Sequence, residues 1–171
     1  MHCALNIKPR ASNILEGDEG MAVYQIVEIG SPVLREKAKE VNRISPTIEK
    51  LLDNMADTMY AAEGLGLAAP QIGVSKRVIV IDVGEGLLEL INPVILERYG
   101  EAVDAEGCLS IPEMTGDVVR ATKVRVQYLN RRGEMIDLQA KDLLARALQH
   151  ETDHLEGVLF VDIAKKTYRK R

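Results

Sequence analysis

The pattern H-E-x-x-H at residues 150–154 constrains the fold of this chain more than any other feature. It lies in a segment predicted to form a helix from Asp142 to about Glu156. Residues four apart lie one turn above each other on a helix, so His150 and His154 project from the same face. Apolar residues continue this stripe upstream, so this face of the helix is predicted to point towards the protein interior. The rest of the fold must therefore be built around this helix.

The remaining patterns predict one α+β domain in which short, mostly antiparallel strands surround a central helix that carries H-E-x-x-H. A first helix is predicted to begin at Ser45-Pro46 and to end at Gly64 as a left-handed cap. Strands are predicted at 77–82, 87–96 and 123–130, and the last is followed by a turn at 131–133 and a strand at 134–138.

Composition and charge exclude several classes of protein. The net charge of −4, with acids and bases interleaved, offers no broad basic face, so nucleic acid is not expected as a direct substrate. The apolar stretches are too short to cross a bilayer, and no membrane association is expected. Residues 1–20 lack the apolar segment of a secretory signal, so we expect an unstructured leader, or an upstream start, before a natural beginning near Met21. A single catalytic domain at 21–171, in the cytoplasm, is expected to follow.

Two histidines can reach one ion, but a catalytic site needs three protein ligands and an open position. A thermolysin-like peptidase takes a glutamate from a following helix, and the sequence after His154 is expected to be too short for one. A metzincin needs a third histidine where Phe160 stands. Neither arrangement fits, so the third ligand is expected from upstream.

Cys108 is the only soft donor upstream once Cys3, in the predicted leader, is set aside. A lone cysteine is more often a small buried core residue, but the missing ligand favours a role in metal binding. The predicted site is therefore Cys108, His150 and His154, with Glu151 within reach of an ion-bound water. These ligand types alone indicate zinc.

A third cluster, at residues 64–71, reads G-L-G-L-A-A-P-Q. A helix cap followed by a tight turn would explain it by itself. Small side chains also leave the N–H and C=O groups of an extended backbone open, so a peptide could pair with this edge. Gln71 then supplies an uncharged donor of the type that stabilises an oxyanion.

Together, these clusters resemble the peptide deformylase family over roughly residues 23–163. The shared motifs are G-x-G-L-A-A-x-Q at 64–71, E-G-C-L-S at 106–110 and Q-H-E-x-D-H-L-x-G at 149–157. The resemblance implies a hydrolase that removes the N-formyl group from the N-terminal formylmethionine of newly made polypeptides and releases formate. A metal-bound water would attack the formyl carbon. Such proteins act in N-terminal processing during protein biosynthesis, and a transient ribosome contact is a further expectation.

The resemblance also implies a role for each matching residue. The metal ligands are Cys108, His150 and His154; Glu151 is the general acid and base; Gln71 and the Leu109 N–H hold the oxyanion; and Leu65, Gly66 and Gly107 bind the peptide backbone. One divalent ion per chain is expected. Ferrous iron is implied by the resemblance alone, with nickel, cobalt or zinc as replacements.

Three positions depart from patterns found in the family. Thr115 stands where some members carry an arginine near the substrate pocket. Arg146 and Ala147 replace bulkier apolar residues that lie beside the methionine pocket in some relatives. The basic tail at 165–171 is expected to be frayed and solvated, whereas some members use a longer terminal helix to dock on the ribosome.

Two other functions compete with this interpretation. An H-E-x-x-H endopeptidase would need the absent downstream ligands. A structural metal module or an inactive binding protein would need a fourth ligand, since structural sites are closed. No fourth cysteine or histidine lies outside the predicted leader, and Glu151 would have no purpose in an inactive site.

Overall fold

The computed structural model describes residues 22–170. The predicted leader at 1–20 lies outside them. The helices are α1 (Pro46–Ala61), α2 (Asp142–Leu155) and α3 (Phe160–Ile163), with 3-10 turns at Pro32–Arg35 and Ala69–Ile72. The strands are β1 (Gly66–Ala68), β2 (Val78–Ile81), β3 (Leu88–Tyr99), β4 (Ala102–Cys108), β5 (Ile111–Arg120), β6 (Lys123–Leu129), β7 (Met135–Lys141) and β8 (Lys166–Arg169).

The strands form two antiparallel sheets. One has the order β1-β2-β3-β6-β7 and the other has the order β4-β5-β8. The predicted α+β class, the mostly antiparallel pairing and the central helix are confirmed. The strands β4 and β5, within residues 102–120, were not predicted, and β3 extends three residues beyond its predicted end.

Strand β2 shows why the larger sheet lies between the two long helices. All four of its residues are buried. Val78 and Val80 pack in the apolar cluster that contains the inner face of α1. Ile79 and Ile81 pack in the cluster that contains the apolar residues of α2. Successive side chains of a strand point to opposite faces, so this short apolar run holds both helices in place.

A third apolar cluster joins the smaller sheet to the end of the chain. Cys108, Ile111 and Val118 of β4 and β5 pack there against Leu159 and Phe160. Phe160 also stacks on the ring of His150, so the end of β4 lies beside α2. Among residues 22–170, no helix combines the length and apolar composition that a membrane span requires.

The end of α1 corrects one prediction. The left-handed residue is Glu63, with φ of 55°, and not Gly64. The Gly64 N–H donates to the Met59 carbonyl at 2.9 Å and so closes the helix end. A Cβ at position 64 would lie 2.8 Å from Cδ1 of Leu109, so any larger residue would require that side chain to shift.

The prediction of a frayed tail is wrong for most of that segment. Residues 166–169 form β8 and pair with Met114–Asp117 of β5. The Lys170 N–H extends the pairing by donating to the Glu113 carbonyl at 2.8 Å. The tail supplies backbone groups to a sheet edge that would otherwise be open, and this favours a strand despite its exposed, charged side chains.

Candidate metal centre

The structure brings the three predicted metal ligands together. The ligand atoms of Cys108, His150 and His154 all lie within 4.8 Å of one another, and all three residues are buried. Cys108 Sγ is 3.3 Å from His154 Nε2. One thiolate and two imidazoles suit a divalent transition metal, and they leave a fourth coordination position for water or substrate.

Two elements set this geometry. Cys108 is the last residue of β4, where a register shift follows Gly107 and the chain turns through Leu109 and Ser110 into β5. The histidines lie one turn apart on α2, as the 3.6-residue period predicted. The site therefore forms where the end of a sheet strand meets the buried face of a helix.

Glu106 orients the first histidine. Its fully buried carboxylate lies 2.8 Å from His150 Nδ1 and accepts hydrogen bonds from Nε and Nη2 of Arg120 at 2.8 and 3.0 Å. Arg146 donates to the same carboxylate at 2.8 Å. A ring nitrogen that donates to a carboxylate leaves the other ring nitrogen free to bind a metal. His150 therefore presents Nε2 to the site.

Burial and mutual contacts shift the pKa values of Glu106, His150 and His154. Burial alone would raise the pKa of Glu106, but hydrogen bonds from His150 and Arg120 outweigh it and hold the pKa well below its usual range. Burial alone would lower the pKa of His150, but hydrogen bonds to Cys108 and Glu106 raise it well above its usual value. Burial and the neighbouring charge of His150 lower the pKa of His154. Metal binding at such a site must release a proton.

The general-base candidate lies in the same interior. Glu151 is 1% exposed, and burial raises its pKa to about 7 although the positive charge of His150 opposes the shift. Its carboxylate packs against Gly66, where a Cβ would lie 2.6 Å from Oε1. Two of the three buried side-chain atoms that lack a hydrogen-bond partner within residues 22–170 are in this site, Glu151 Oε2 and His154 Nδ1. Unsatisfied buried atoms of this kind are expected where an ion, water or substrate binds.

Gln71 approaches the ligands from the other side. It lies in the 3-10 turn Ala69–Ile72, and its Nε2 is 3.5 Å from Cys108 Sγ and 3.2 Å from Ser110 Oγ. The side chain is buried. An amide N–H group therefore lies beside the sulfur of Cys108.

The glycine-rich segment at residues 64–66 lies beside Glu151. Gly66 begins β1, which is the edge strand of the larger sheet, and Leu65 precedes it. Gly107 lies in β4 opposite Thr115, and Leu109 packs next to Gly64. The predicted peptide-binding residues thus lie on two neighbouring backbone segments, and the first of these packs against Glu151 at Gly66.

Sequence patterns did not reveal every part of the site, since they gave no role to Glu106, Arg120 or Ser110, all of them buried. Arg146, noted from the sequence only as a replacement for a bulkier apolar residue, has a buried guanidinium that donates to Glu106 and to the carbonyls of Ala102 and Val118. The sequence signal for this buried role was that Arg146 is a charged residue in an otherwise apolar stretch of α2.

Comparison with known proteins places these residues in a family context. The polypeptide deformylase family model matches residues 23–170. A peptide deformylase from Desulfitobacterium hafniense is 68% identical over 150 residues, covering 88% of this chain and 100% of the relative. One from Carboxydothermus hydrogenoformans is 65% identical over 150 residues, covering 88% and 99%.

Solved structures agree with the sequence relatives. The crystal structure of a peptide deformylase from Thermotoga maritima superposes with a TM-score of 0.82 at 43% identity, covering 84% of this chain and 99% of that one. The enzyme from Ehrlichia chaffeensis, in complex with actinonin, gives a TM-score of 0.83 at 39% identity, covering 85% and 91%.

Proposed function

The chain belongs to the peptide deformylase family, and from that premise we propose how its own residues carry out the family reaction. The enzyme hydrolyses the N-formyl group from the N-terminal formylmethionine of newly made polypeptides and releases formate. The observation that carries the assignment of residues is the buried convergence of Cys108, His150 and His154 beside Glu151.

Cys108, His150 and His154 would hold one divalent ion per chain. A bound ion supplies a Lewis acid for the formyl oxygen and lowers the pKa of water from near 16 towards about 7. The donor atoms fit zinc, nickel, cobalt or iron, and ferrous iron is the proposed physiological ion on the strength of the family alone. Glu106 supports this role because it fixes the ring orientation of His150.

Glu151 would move the protons. It takes one proton from the attacking water as the water oxygen bonds to the formyl carbon, and it later delivers that proton to the nitrogen as the C–N bond breaks. Its burial and its pKa of about 7 suit a group that must accept and release a proton near neutral pH. A positive ion nearby would lower that pKa and favour the base form.

Gln71 and the backbone N–H of Leu109 would stabilise the oxyanion. Gln71 Nε2 faces Cys108 Sγ, and Leu109 directly follows that ligand. Two neutral donors fixed in a buried site stabilise negative charge without having to reorganise during the reaction.

Leu65, Gly66 and Gly107 would bind the peptide backbone. Strand β1 is a sheet edge, and an extended peptide can add to such an edge by main-chain hydrogen bonds. Gly64 packs closely against Leu109, and Gly66 packs against Glu151. This close packing leaves little room beyond the carbonyl carbon, so a formyl hydrogen fits where a longer acyl chain would clash.

The substrate and the surface charge support two wider proposals. A single catalytic domain at 21–171 would work in the cytoplasm, where nascent peptides are made, with neither membrane nor nucleic acid as substrate. A transient ribosome contact would use the basic end of the chain. Lys165, Lys166, Arg169 and Lys170 are exposed there, and none forms a salt bridge with another described residue.

Co-sedimentation with ribosomes tests the proposed contact. The double variant Lys166→Glu/Lys170→Glu should bind less than the wild type, and added salt should weaken wild-type binding. Lys50→Glu on α1 is the matched control, because Lys50 is also exposed. Equal binding by all three proteins would contradict the contact.

The reaction is tested by anaerobic purification, metal analysis and assay of formate release from a formyl-Met peptide. We expect one equivalent of divalent metal, dominated by iron, and formate release that Cys108→Ser abolishes together with metal binding. Casein assayed in parallel should remain intact. Casein cleavage without formate release would instead identify an endopeptidase, and full metal content in Cys108→Ser would contradict the ligand assignment.

A further inference from the structure

We propose that Ser110 is a positioning residue that fixes the side-chain amide of Gln71 for the reaction. The inference rests on the proposed function, in which Gln71 stabilises the oxyanion. Ser110 is fully buried and does not contact the substrate in that scheme. Its hydroxyl oxygen lies 3.2 Å from Gln71 Nε2, within hydrogen-bond distance.

The orientation of the Gln71 amide is determined by its oxygen. Gln71 Oε1 accepts a hydrogen bond from the Ala68 backbone N–H at 2.9 Å. If the amide were flipped, its amino group would face that N–H, and two donors would oppose each other in a buried site. The amino group must therefore face Cys108 and Ser110.

The amino group has two hydrogens and two neighbours. Ser110 Oγ lies at 3.2 Å and Cys108 Sγ at 3.5 Å from Gln71 Nε2. Ser110 accepts one hydrogen, so the other points into the site beside the ligand sulfur. The terminal torsion of a glutamine is otherwise soft. Without Ser110, the Ala68 N–H still prevents a flip, but the amide can swing about that single hydrogen bond, and a buried N–H loses its partner.

Ser110 is itself held by the turn that carries the active groups. It follows Cys108 and Leu109 in the connection between β4 and β5, and its carbonyl accepts a hydrogen bond from the Ile29 N–H at 2.9 Å. This short segment thus provides a metal ligand, an oxyanion N–H and the hydroxyl that aims Gln71. Gln71 lies on a different element, and Ser110 keeps it in register with the other two groups.

A double-mutant cycle tests the inference. Ser110→Ala should lower kcat roughly 5- to 20-fold, the effect of one misplaced hydrogen bond, with KM within about twofold. Metal content should be unchanged. Gln71→Ala should lower kcat about 10²–10³-fold. Because Ser110 acts through Gln71, adding Ser110→Ala to Gln71→Ala should cause no further loss.

Two further variants separate the hydrogen bond from packing. Ser110→Thr keeps the hydroxyl and should retain most activity. Ser110→Cys fills similar space with a weak acceptor and should resemble Ser110→Ala. They also keep the test open if Ser110→Ala folds poorly.

A second readout does not depend on turnover. In the zinc-loaded protein, ¹⁵N NMR should show one side-chain amide pair that is missing in Gln71→Ala and therefore belongs to Gln71. Ser110→Ala should shift that pair and speed its exchange with solvent, whereas Ser110→Thr should leave it close to its original position.

The outcomes distinguish this inference from the proposed function. If Gln71→Ala has near-normal turnover, the oxyanion role of Gln71 fails, and the role of Ser110 fails with it. If Gln71→Ala is impaired as expected but Ser110→Ala is silent, or lowers kcat equally in both backgrounds, only the Ser110 inference is overturned.

Discussion

The two long helices bury different kinds of side chain. The inner face of α1 is mainly apolar, with Ile48, Leu52, Met55 and Met59 at helical spacing. Helix α2 buries every residue from Ala145 to Thr152, charged and polar side chains included. One helix is held by the hydrophobic effect, and the other carries groups that would be more stable in water unless they were paired.

The pairing of α2 explains how it remains folded. Arg146 and His150 meet the single carboxylate of Glu106, and Gln149 forms hydrogen bonds with both backbone groups of Ala121. Among the described residues of α2, Glu151 Oε2 and His154 Nδ1 have no partner. Polar groups with partners maintain the structure, and the two residues with an unpartnered atom are the proposed base and a proposed metal ligand. The comparison predicts that substitutions in α2 affect activity, while those in α1 affect stability.

The largest effect is expected at Glu151. Glu151→Ala should lower kcat about 10²–10⁴-fold, the usual contribution of a general acid–base group, while the metal remains bound. The free energy of unfolding should stay equal or rise, because an unpaired buried carboxylate is removed. Formate release, metal analysis and urea unfolding measure these quantities.

Glu49→Gln is the matched control, since Glu49 is an exposed acid on α1. It should leave turnover and metal content unchanged. Near-normal turnover in Glu151→Ala would remove the distinction between the two helices.

Leu52→Ala tests the opposite half of the comparison. Leu52 is fully buried in α1, so the substitution should lower the free energy of unfolding by about 2–5 kcal/mol through lost burial and a cavity. The kcat of the folded fraction should change little. Urea unfolding and turnover below the transition measure the two effects, and a large loss of kcat with normal stability would contradict this role.

A matched pair of glycine substitutions sharpens the comparison at the site itself. In Gly66→Ala, the new Cβ would lie 2.6 Å from Glu151 Oε1 and 2.9 Å from its Cγ, so the buried base must move. A displacement of that size should lower kcat/KM roughly 10- to 100-fold. In Gly64→Ala, the atom nearest to the new Cβ is Cδ1 of Leu109, which can rotate away. The loss of kcat/KM should therefore be smaller than in Gly66→Ala. Equal losses in the two variants would show that Glu151 is not held by Gly66.

Periodicity predicted the parts of the fold that depend on apolar spacing. The helix that carries His150 and His154 and the strand around 78–81 were confirmed because their patterns are local. The pairing of β8 with β5 was not predictable in this way, since β8 consists of exposed residues that gain backbone partners from a distant strand.

The site residues also divide into those that a sequence pattern could predict and those that it could not. Metal-ligand chemistry and spacing predicted that Cys108 joins the two histidines, although Cys108 and His150 are 42 positions apart. The roles of Glu106 and Ser110 depend on which distant side chain each one meets. No local pattern shows which distant side chain a residue will meet, even though Glu106 and Ser110 both belong to the E-G-C-L-S motif.

The smallest effect is expected at a surface pair beyond α2. A hydrogen bond from Arg35 lowers the pKa of Asp162, and both side chains are partly exposed. A carboxyl whose folded-state pKa is depressed contributes stability above its unfolded pKa of about 4, and that contribution is lost as the pH falls through the folded value. Asp162→Asn should therefore lower Tm slightly at pH 7, and the difference from wild type should disappear at strongly acidic pH. A difference that grows on acidification would contradict this sign.

The central claim is that one thiolate and two imidazoles share an ion. X-ray absorption spectroscopy of the zinc-loaded protein tests it most directly. We predict one sulfur neighbour at about 2.3 Å and two imidazole nitrogens at about 2.0–2.1 Å in the wild type, whereas Cys108→Ser, which should not retain the ion, should show no such shell. A first shell without sulfur in the wild type, or one unchanged by Cys108→Ser, would contradict the claim.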